Sequence, residues 1–408
     1  MKIRKITPWL VTMPTQASPA APPAGRPGRQ YIFVQVETDE GVTGWGEVTG
    51  TGQLPNRAVC AVLREVAPFL EGEDPANIEA IWNKVFRTMT YVGTRGITSC
   101  VVSGIDIALW DIAGKAARKP IYELLGGPVR DRIALYTHFP LGDSPAEAAR
   151  NVMVPVNDGH LAIKTDPFQP AHTRRRRQGI HPTRPSRAGT PELAAPYLDG
   201  GMDAQGEQDG ADYIAAIREA VGPQVEILID AHAMFNVPTA IRLANRLAPY
   251  NLTWFEEPVP PESYHALRQV REQVQTPICV GERLHTRFEF VPVLEQRLAD
   301  FIMPDVTWTG GISELKKIST LAEAYYVPVS PHDASGPINV LAGAHVMMTV
   351  PNFYKLETTR SRMDFYNAFI ETPLDVREGH LHVPNTPGLG LEMNLDYLRA
   401  HAEPGWGA

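Results

Sequence analysis

Three acidic residues recur at equal intervals along the chain: Asp230, Glu256 and Glu282. Each lies at the end of a short apolar run: Val225–His232 (VEILIDAH), Asn251–Pro258 (NLTWFEEP) and Thr276–Arg283 (TPICVGER). An interval close to one strand-plus-helix unit places side chains at equivalent ends of neighbouring parallel strands, where they converge. Three converging carboxylates repel one another unless a cation joins them. Oxygen-only ligation suits a hard ion, Mg²⁺ before Mn²⁺ or Ca²⁺. A single acid at such a position more often caps a helix or faces water, so the inference rests on the set. Glu257 is the alternative ligand beside Glu256. Neighbours on a strand face opposite ways, and the spacing favours Glu256.

Two histidines add acid–base chemistry. His332 lies near the end of Val327–Ala334 (VPVSPHDA), and Asp305 lies near the end of Ala299–Val306 (ADFIMPDV), again about one strand-plus-helix unit earlier. A carboxylate behind an imidazole fixes its tautomer and raises its basicity, as a general base near neutral pH requires. His232 lies two positions past Asp230, on the same side of the strand if extended geometry continues.

These residues must be carried by regular elements. Besides the five runs above, Arg132–Phe139 (RIALYTHF), His160–Pro167 (HLAIKTDP) and Asn352–Glu357 (NFYKLE) have the same character. Between them lie segments with helical period such as TAIRLANRLAPY and SELKKISTLAEAYY. Eight buried strands alternating with helices predict an α/β fold, a (β/α)8 barrel or a close relative. A doubly wound sheet is the rival, but no glycine-rich dinucleotide loop follows the first strand. The stretch ahead of these runs has a different rhythm. Tyr31–Thr38 and Val42–Glu47 read as an antiparallel hairpin, followed by helices near Arg57–Leu70, Ile78–Thr88 and Ser99–Ala116. The reading is therefore an α+β capping domain over 1–127, a barrel over 128–358, and a tail over 359–408 that returns to the cap. Residues 18–29, rich in Pro and Gly, read as a lid loop. Residues 169–208, with consecutive arginines from Arg174 to Arg177, show no periodicity and read as an irregular insertion after the second barrel strand.

Composition narrows the function classes. Across 408 residues, 38 Lys and Arg face 46 Asp and Glu, a net charge of −8, which disfavours sequence-independent nucleic-acid binding. Three scattered cysteines (Cys60, Cys100, Cys279) make neither a disulfide framework nor a thiolate zinc site. The best apolar stretch, Val101–Ala113, carries Asp106 and Asp111, so no membrane partner is expected. The basic N-terminus has no apolar core before Pro8, and a cytoplasmic location is the expectation.

Val101–Gly127 (VVSGIDIALWDIAGKAARKPIYELLGG), followed by IDAH, WFEEP, GER, MPD, PHD and YKLE, resembles the mandelate-racemase subgroup of the enolase superfamily. The resemblance covers nearly the whole chain outside 169–208. It implies a modified TIM barrel, (β/α)7β, with the α+β cap, one Mg²⁺ per active site that binds a substrate carboxylate, and a homo-oligomer. It maps the metal ligands onto Asp230, Glu256 and Glu282, and the His–Asp dyad onto His332 and Asp305. Glu357 matches the acid that in relatives hydrogen-bonds the enolate oxygen.

Two features choose among the chemistries of that subgroup. Lys164-Thr165-Asp166 stands where relatives with a Lys-x-Lys base carry a second lysine, so two-base racemisation is disfavoured. Lys164 then remains as a charge near the substrate carboxylate, or as a salt bridge within the barrel. The Asp-x-His at 230–232 resembles the sugar-acid dehydratases, galactonate dehydratase among them, whose matching histidine protonates the leaving 3-hydroxyl. The expectation is dehydration of an aldonate or aldarate to a 2-keto-3-deoxy sugar acid. The alternatives are an epimerase or lactone cycloisomerase on the same scaffold, and then a non-catalytic relative.

Overall fold

The computed structural model describes residues 1–13, 29–48, 53–171, 200–333, 335–359 and 362–407. Residues 18–28 of the lid loop and 172–199 of the insertion, with Arg174–Arg177, lie outside the described residues. The chain divides into two units, Met1–Ala134 with Leu284–Val291 and Met303–Ala408, and Leu135–Arg283 with Pro292–Ile302.

The second unit is built on parallel strands. β4 (Ile133–His138) leads into β5 (Ala162–Thr165), β6 (Glu226–Asp230), β7 (Trp254–Glu256), β8 (Ile278–Val280) and β9 (Phe301–Ile302), each paired with the next. The strands are short and buried on both faces, as parallel strands covered by helices are. Helices Pro145–Asn157, Ala204–Val221, Val237–Leu247 and Tyr264–Arg271 follow β4, β5, β6 and β7 in turn. All four start on a side-chain cap: Ser144, Asp203, Asn236 and Ser263 accept from Glu147, Gly206, Thr239 and Ala266 N–H, respectively. Those caps satisfy N–H groups that have no intrahelical partner. Because this helix already begins at Ala204, the stretch read as irregular through Gln208 ends sooner than its sequence suggests.

In the first unit, β1 (Ile3–Met13), β2 (Arg29–Thr38) and β3 (Thr43–Val48) form an antiparallel sheet in the order β1-β2-β3. β1 was not foreseen from sequence. Helix Ile97–Ala117 packs on β3 at a distance that only glycine allows. A Cβ added at Gly46 would lie 1.9 Å from the Gly104 carbonyl oxygen, and one at Gly44 2.1 Å from that of Ala108. By length and composition this helix could cross a membrane, but most of its apolar window is buried within the fold. Its two acids bind main chain and neighbours. Asp106 accepts from Ser313 N and Oγ, and Asp111 from Trp45 N, Leu389 N and Lys115 Nζ. The chain after Thr359 contacts the same sheet: Glu403 N donates to Leu10 O, and Phe369 packs against Tyr31 and Phe33. A hairpin of β11 (Val376–Arg377) and β12 (His380–Leu381) pairs with the start of β4.

One expected strand is missing. From Val327, where the sequence predicts the seventh barrel strand, a single bridge joins Val329 to Phe353, and β10 (Leu356–Thr358) follows. Pro328 and Pro331 interrupt the run and have no N–H for a ladder.

Gly46→Ala should force β3 and helix Ile97–Ala117 apart and lower stability by about 1–3 kcal/mol, read as a drop in the urea midpoint. A midpoint equal to that of the unmodified protein would show that the two backbones are not in this contact.

Candidate active site

The titratable side chains singled out above fall into two clusters, one in each unit. In the second unit, single ligand atoms of Asp230, Glu256 and Glu282 all lie within 4.8 Å of one another, and all three residues are buried. Two of them converge through register. Asp230 on β6 and Glu256 on β7 are direct Cα partners, as their spacing predicts.

Glu282 arrives differently. The direct partner of Glu256 on β8 is Cys279, so Glu282 lies beyond the strand and the equal interval is not an equal register. Gly281, at φ +140°, turns the chain out of β8 and brings Glu282 back toward the other two.

Two carboxylate charges 4.8 Å apart repel by about 3–4 kcal/mol at an effective dielectric near 20. Lys164 on β5 supplies part of the opposing charge. Its Nζ, itself buried, lies 2.7 Å from Glu256 Oε1 and 3.3 Å from Asp230 Oδ2. Trp254 Nε1 donates to Glu256 Oε2 at 2.9 Å, and Arg283 pairs with Glu282 at 2.9 Å. The donor set is oxygen-only, buried and rich in negative charge, and these residues could hold a hard divalent cation.

His232 departs from its sequence placement. β6 ends at Asp230, and both His232 and Ala233 have positive φ, +52° and +55°, so the alternation of an extended strand does not reach the histidine. Instead the chain folds back. His232 N–H donates to Asp230 Oδ1, its Nε2 lies 3.3 Å from Asp230 Oδ2, and its Nδ1 lies 3.2 Å from Asp166 Oδ2. Partial burial works against the charged imidazole, but Asp230 and the hydrogen bond to Asp166 lift its pKa to about 9. The two carboxylates therefore favour the protonated imidazole.

Glu257 is as buried as Glu256 and serves another purpose. At φ +42° it too has left the strand, and its Oε1 accepts from Gly281 N at 2.7 Å. Burial first, and the neighbouring Glu282 second, push its carboxyl up to about 8, with Arg283 acting in the opposite direction.

In the first unit, His332 Nδ1 lies 2.7 Å from Asp305 Oδ2. With the Nδ1 proton committed to that carboxylate, the neutral ring presents its lone pair at Nε2. Asp305 is itself held by Thr307 N and Oγ1, at 2.8 and 2.5 Å. The Trp308 ring stacks on the imidazole at 5.4 Å between centroids. Glu357, on β10, has Oε2 3.8 Å from His332 Nε2 and accepts from Asp333 N at 3.1 Å.

The model of the mandelate racemase/muconate lactonizing enzyme N-terminal domain matches residues 10–126, and that of the enolase C-terminal domain-like fold matches residues 148–397. The chain belongs to this family. It is 34% identical to the D-xylonate dehydratase of Haloferax volcanii, over 92% of this chain and 86% of the relative. It is 32% identical to the D-galactarolactone cycloisomerase of Agrobacterium fabrum, over 92% of each. A solved enolase-superfamily structure from Salmonella Typhimurium superposes with a TM-score of 0.84 at 30% identity, covering 98% of each chain. The fold is thus the modified (β/α)7β barrel with an N-terminal α+β domain.

Sequence reasoning left Asp166 and Arg283 of the second unit without roles and missed Thr307 of the first. Asp166 was visible in Lys-Thr-Asp, and Arg283 in Gly-Glu-Arg. Their contacts depend on loops that leave the strand ends, which spacing does not encode.

If Asp230, Glu256 and Glu282 are ligands, Glu256→Gln should weaken Mn²⁺ binding by more than about 100-fold, beyond the loss typical of an outer partner. Glu257→Gln should stay within about tenfold of the unmodified protein, both read by electron paramagnetic resonance titration. The opposite order would make Glu257 the ligand.

Proposed function

We propose that the chain is a Mg²⁺-dependent hydro-lyase that dehydrates an aldonate or aldarate to a 2-keto-3-deoxy sugar acid. The observation that carries the reading is that one family member has both the buried Asp230, Glu256 and Glu282 triad and the His332–Asp305 dyad. The curated dehydratase relative supports the substrate class.

Asp230, Glu256 and Glu282 would hold Mg²⁺ through carboxylate oxygens. The ion would supply positive charge to the substrate carboxylate, which makes the 2-proton acidic enough to remove. His332 accepts that proton at Nε2, while Asp305 holds Nδ1–H and stabilises the imidazolium that forms. Glu357 hydrogen-bonds the enolate oxygen as charge develops there. Lys164 offsets the excess negative charge of the ligands and lies where a substrate carboxylate would be drawn. His232, held by Asp230 and Asp166, gives its proton to the departing 3-hydroxyl, which is otherwise a poor leaving group. The enol product then tautomerises to the 2-keto acid.

The cycloisomerase relative keeps a second reading open: the same enolate without loss of water. A library of aldonates and aldarates incubated with enzyme and Mg²⁺ in deuterated water separates the two. A 2-keto product supports dehydration, whereas deuterium at C2 without a keto product supports the alternative.

His332→Asn should abolish both 2-proton exchange and turnover, with Mn²⁺ binding retained; undiminished turnover would remove His332 as the base. His232→Asn should lower dehydration by about 10²–10⁴-fold, the usual contribution of a positioned acid, while exchange at C2 persists. Full dehydration by that variant would contradict the assignment.

A further inference from the structure

A line of contacts reaches the dyad from β3. Glu47, one position before the end of that strand, is completely buried, and its Oε2 accepts from Ile338 N at 3.1 Å and Asn339 N at 3.0 Å. These are the first N–H groups of helix Pro337–Met347. Pro337 has none, and the N-cap residue, Gly336, has no side chain with which to cap them. A residue 292 positions away in sequence therefore does the work of a cap. Gly336 makes that approach possible, because a Cβ there would lie 2.5 Å from Glu47 Oε1.

The second half of the line starts at Asn339, whose side chain is buried. Its Nδ2 lies 3.4 Å from Asp305 Oδ1 and 3.3 Å from Oδ2, so one amide spans both oxygens of the carboxylate. Rotation about the terminal torsion of an aspartate is soft and has broad minima. A donor that spans both oxygens opposes this rotation, and Thr307 opposes it from Oδ1. The plane of Asp305 in turn fixes the Nδ1 hydrogen bond of His332.

We propose that Glu47 and Asn339 are positioning residues for the base: Glu47 fixes the first turn of the helix, and Asn339 on that turn locks the carboxylate plane that orients His332. The proposal builds on the reading of His332 as the base. The state of Glu47 fits the role. Burial first, then the nearby Asp333 and Asp305, hold its carboxyl well above the usual carboxylate range. Protonated or ionised, the carboxyl offers Oε2 as an acceptor to both N–H groups. Glutamine would offer the same acceptor, leucine none.

The test uses the full-length, Mg²⁺-loaded protein and two readouts. The first is the downfield proton resonance of the His332 Nδ1–H, identified by its loss in His332→Asn. It should weaken or move in Asn339→Ala and Glu47→Leu and return in Glu47→Gln. Asn339→Ser provides the smaller perturbation if Asn339→Ala does not fold. The second is a double-mutant cycle on the sugar acid turned over in the library screen. Asn339→Ala alone should lower kcat by about tenfold or more, as loss of an outer partner does, with KM and Mn²⁺ affinity nearly unchanged. Added to Asp305→Asn it should cost nothing further, because its effect runs through that carboxylate. An unmoved resonance, or losses that add, would overturn the inference. Full turnover by His332→Asn would instead overturn the base assignment, and the resonance would still report whether Asn339 and Glu47 hold the dyad.

Discussion

Like charges forced together out of water are the constraint around which the second unit is organised. Burying one carboxylate without a partner is costly, and burying three within 4.8 Å adds their mutual repulsion. The chain meets this by threading Lys164 between Glu256 and Asp230 and by aiming the Trp254 indole at Glu256. Arg283 does the same for Glu282. Lys164, Arg283 and His232 thus face the three carboxylates, whose gathered oxygens could hold a divalent cation.

The two histidines stand in different settings, which suit the opposite tasks proposed for them. His232 stands between two acids, Asp166 and Asp230, with its side chain about 44% exposed, and that setting holds the proton on. His332 is buried, has Nδ1 on Asp305 and Nε2 3.8 Å from Glu357, and lies under the ring of Trp308. The Asp305 carboxylate also accepts from Thr307 and Asn339, which hold its plane against the imidazole.

Rigidity behind these groups comes from contacts that only small residues permit. Gly44 and Gly46 let β3 lie against helix Ile97–Ala117, and Gly336 admits Glu47 to the start of another helix. Such positions resist substitution because the neighbouring atom is backbone, or a carboxylate that is itself engaged. Asp106 and Asp111 follow the same logic. They lie in an apolar, buried helix, yet each is satisfied by main-chain N–H groups of distant segments.

Much of this was legible before any coordinates. Period distinguishes strand from helix, and an interval of one strand–helix unit put Asp230 opposite Glu256, because parallel neighbours repeat the same register. The types of the side chains then limited the ion to a hard one and the acid–base groups to imidazoles. The sequence was less informative wherever the chain leaves the strand. Glu282 keeps the interval but not the register, His232 and Glu257 sit at positive φ where alternation has no meaning, and prolines removed the strand expected before His332. Glu47 and Asn339 lay beyond sequence reasoning, since a side chain that caps a helix 292 positions away leaves no local pattern. Periodic order is written into neighbouring residues and can be read there; side-chain contacts made across loops exist only once the whole chain has packed, so tertiary structure alone decided them.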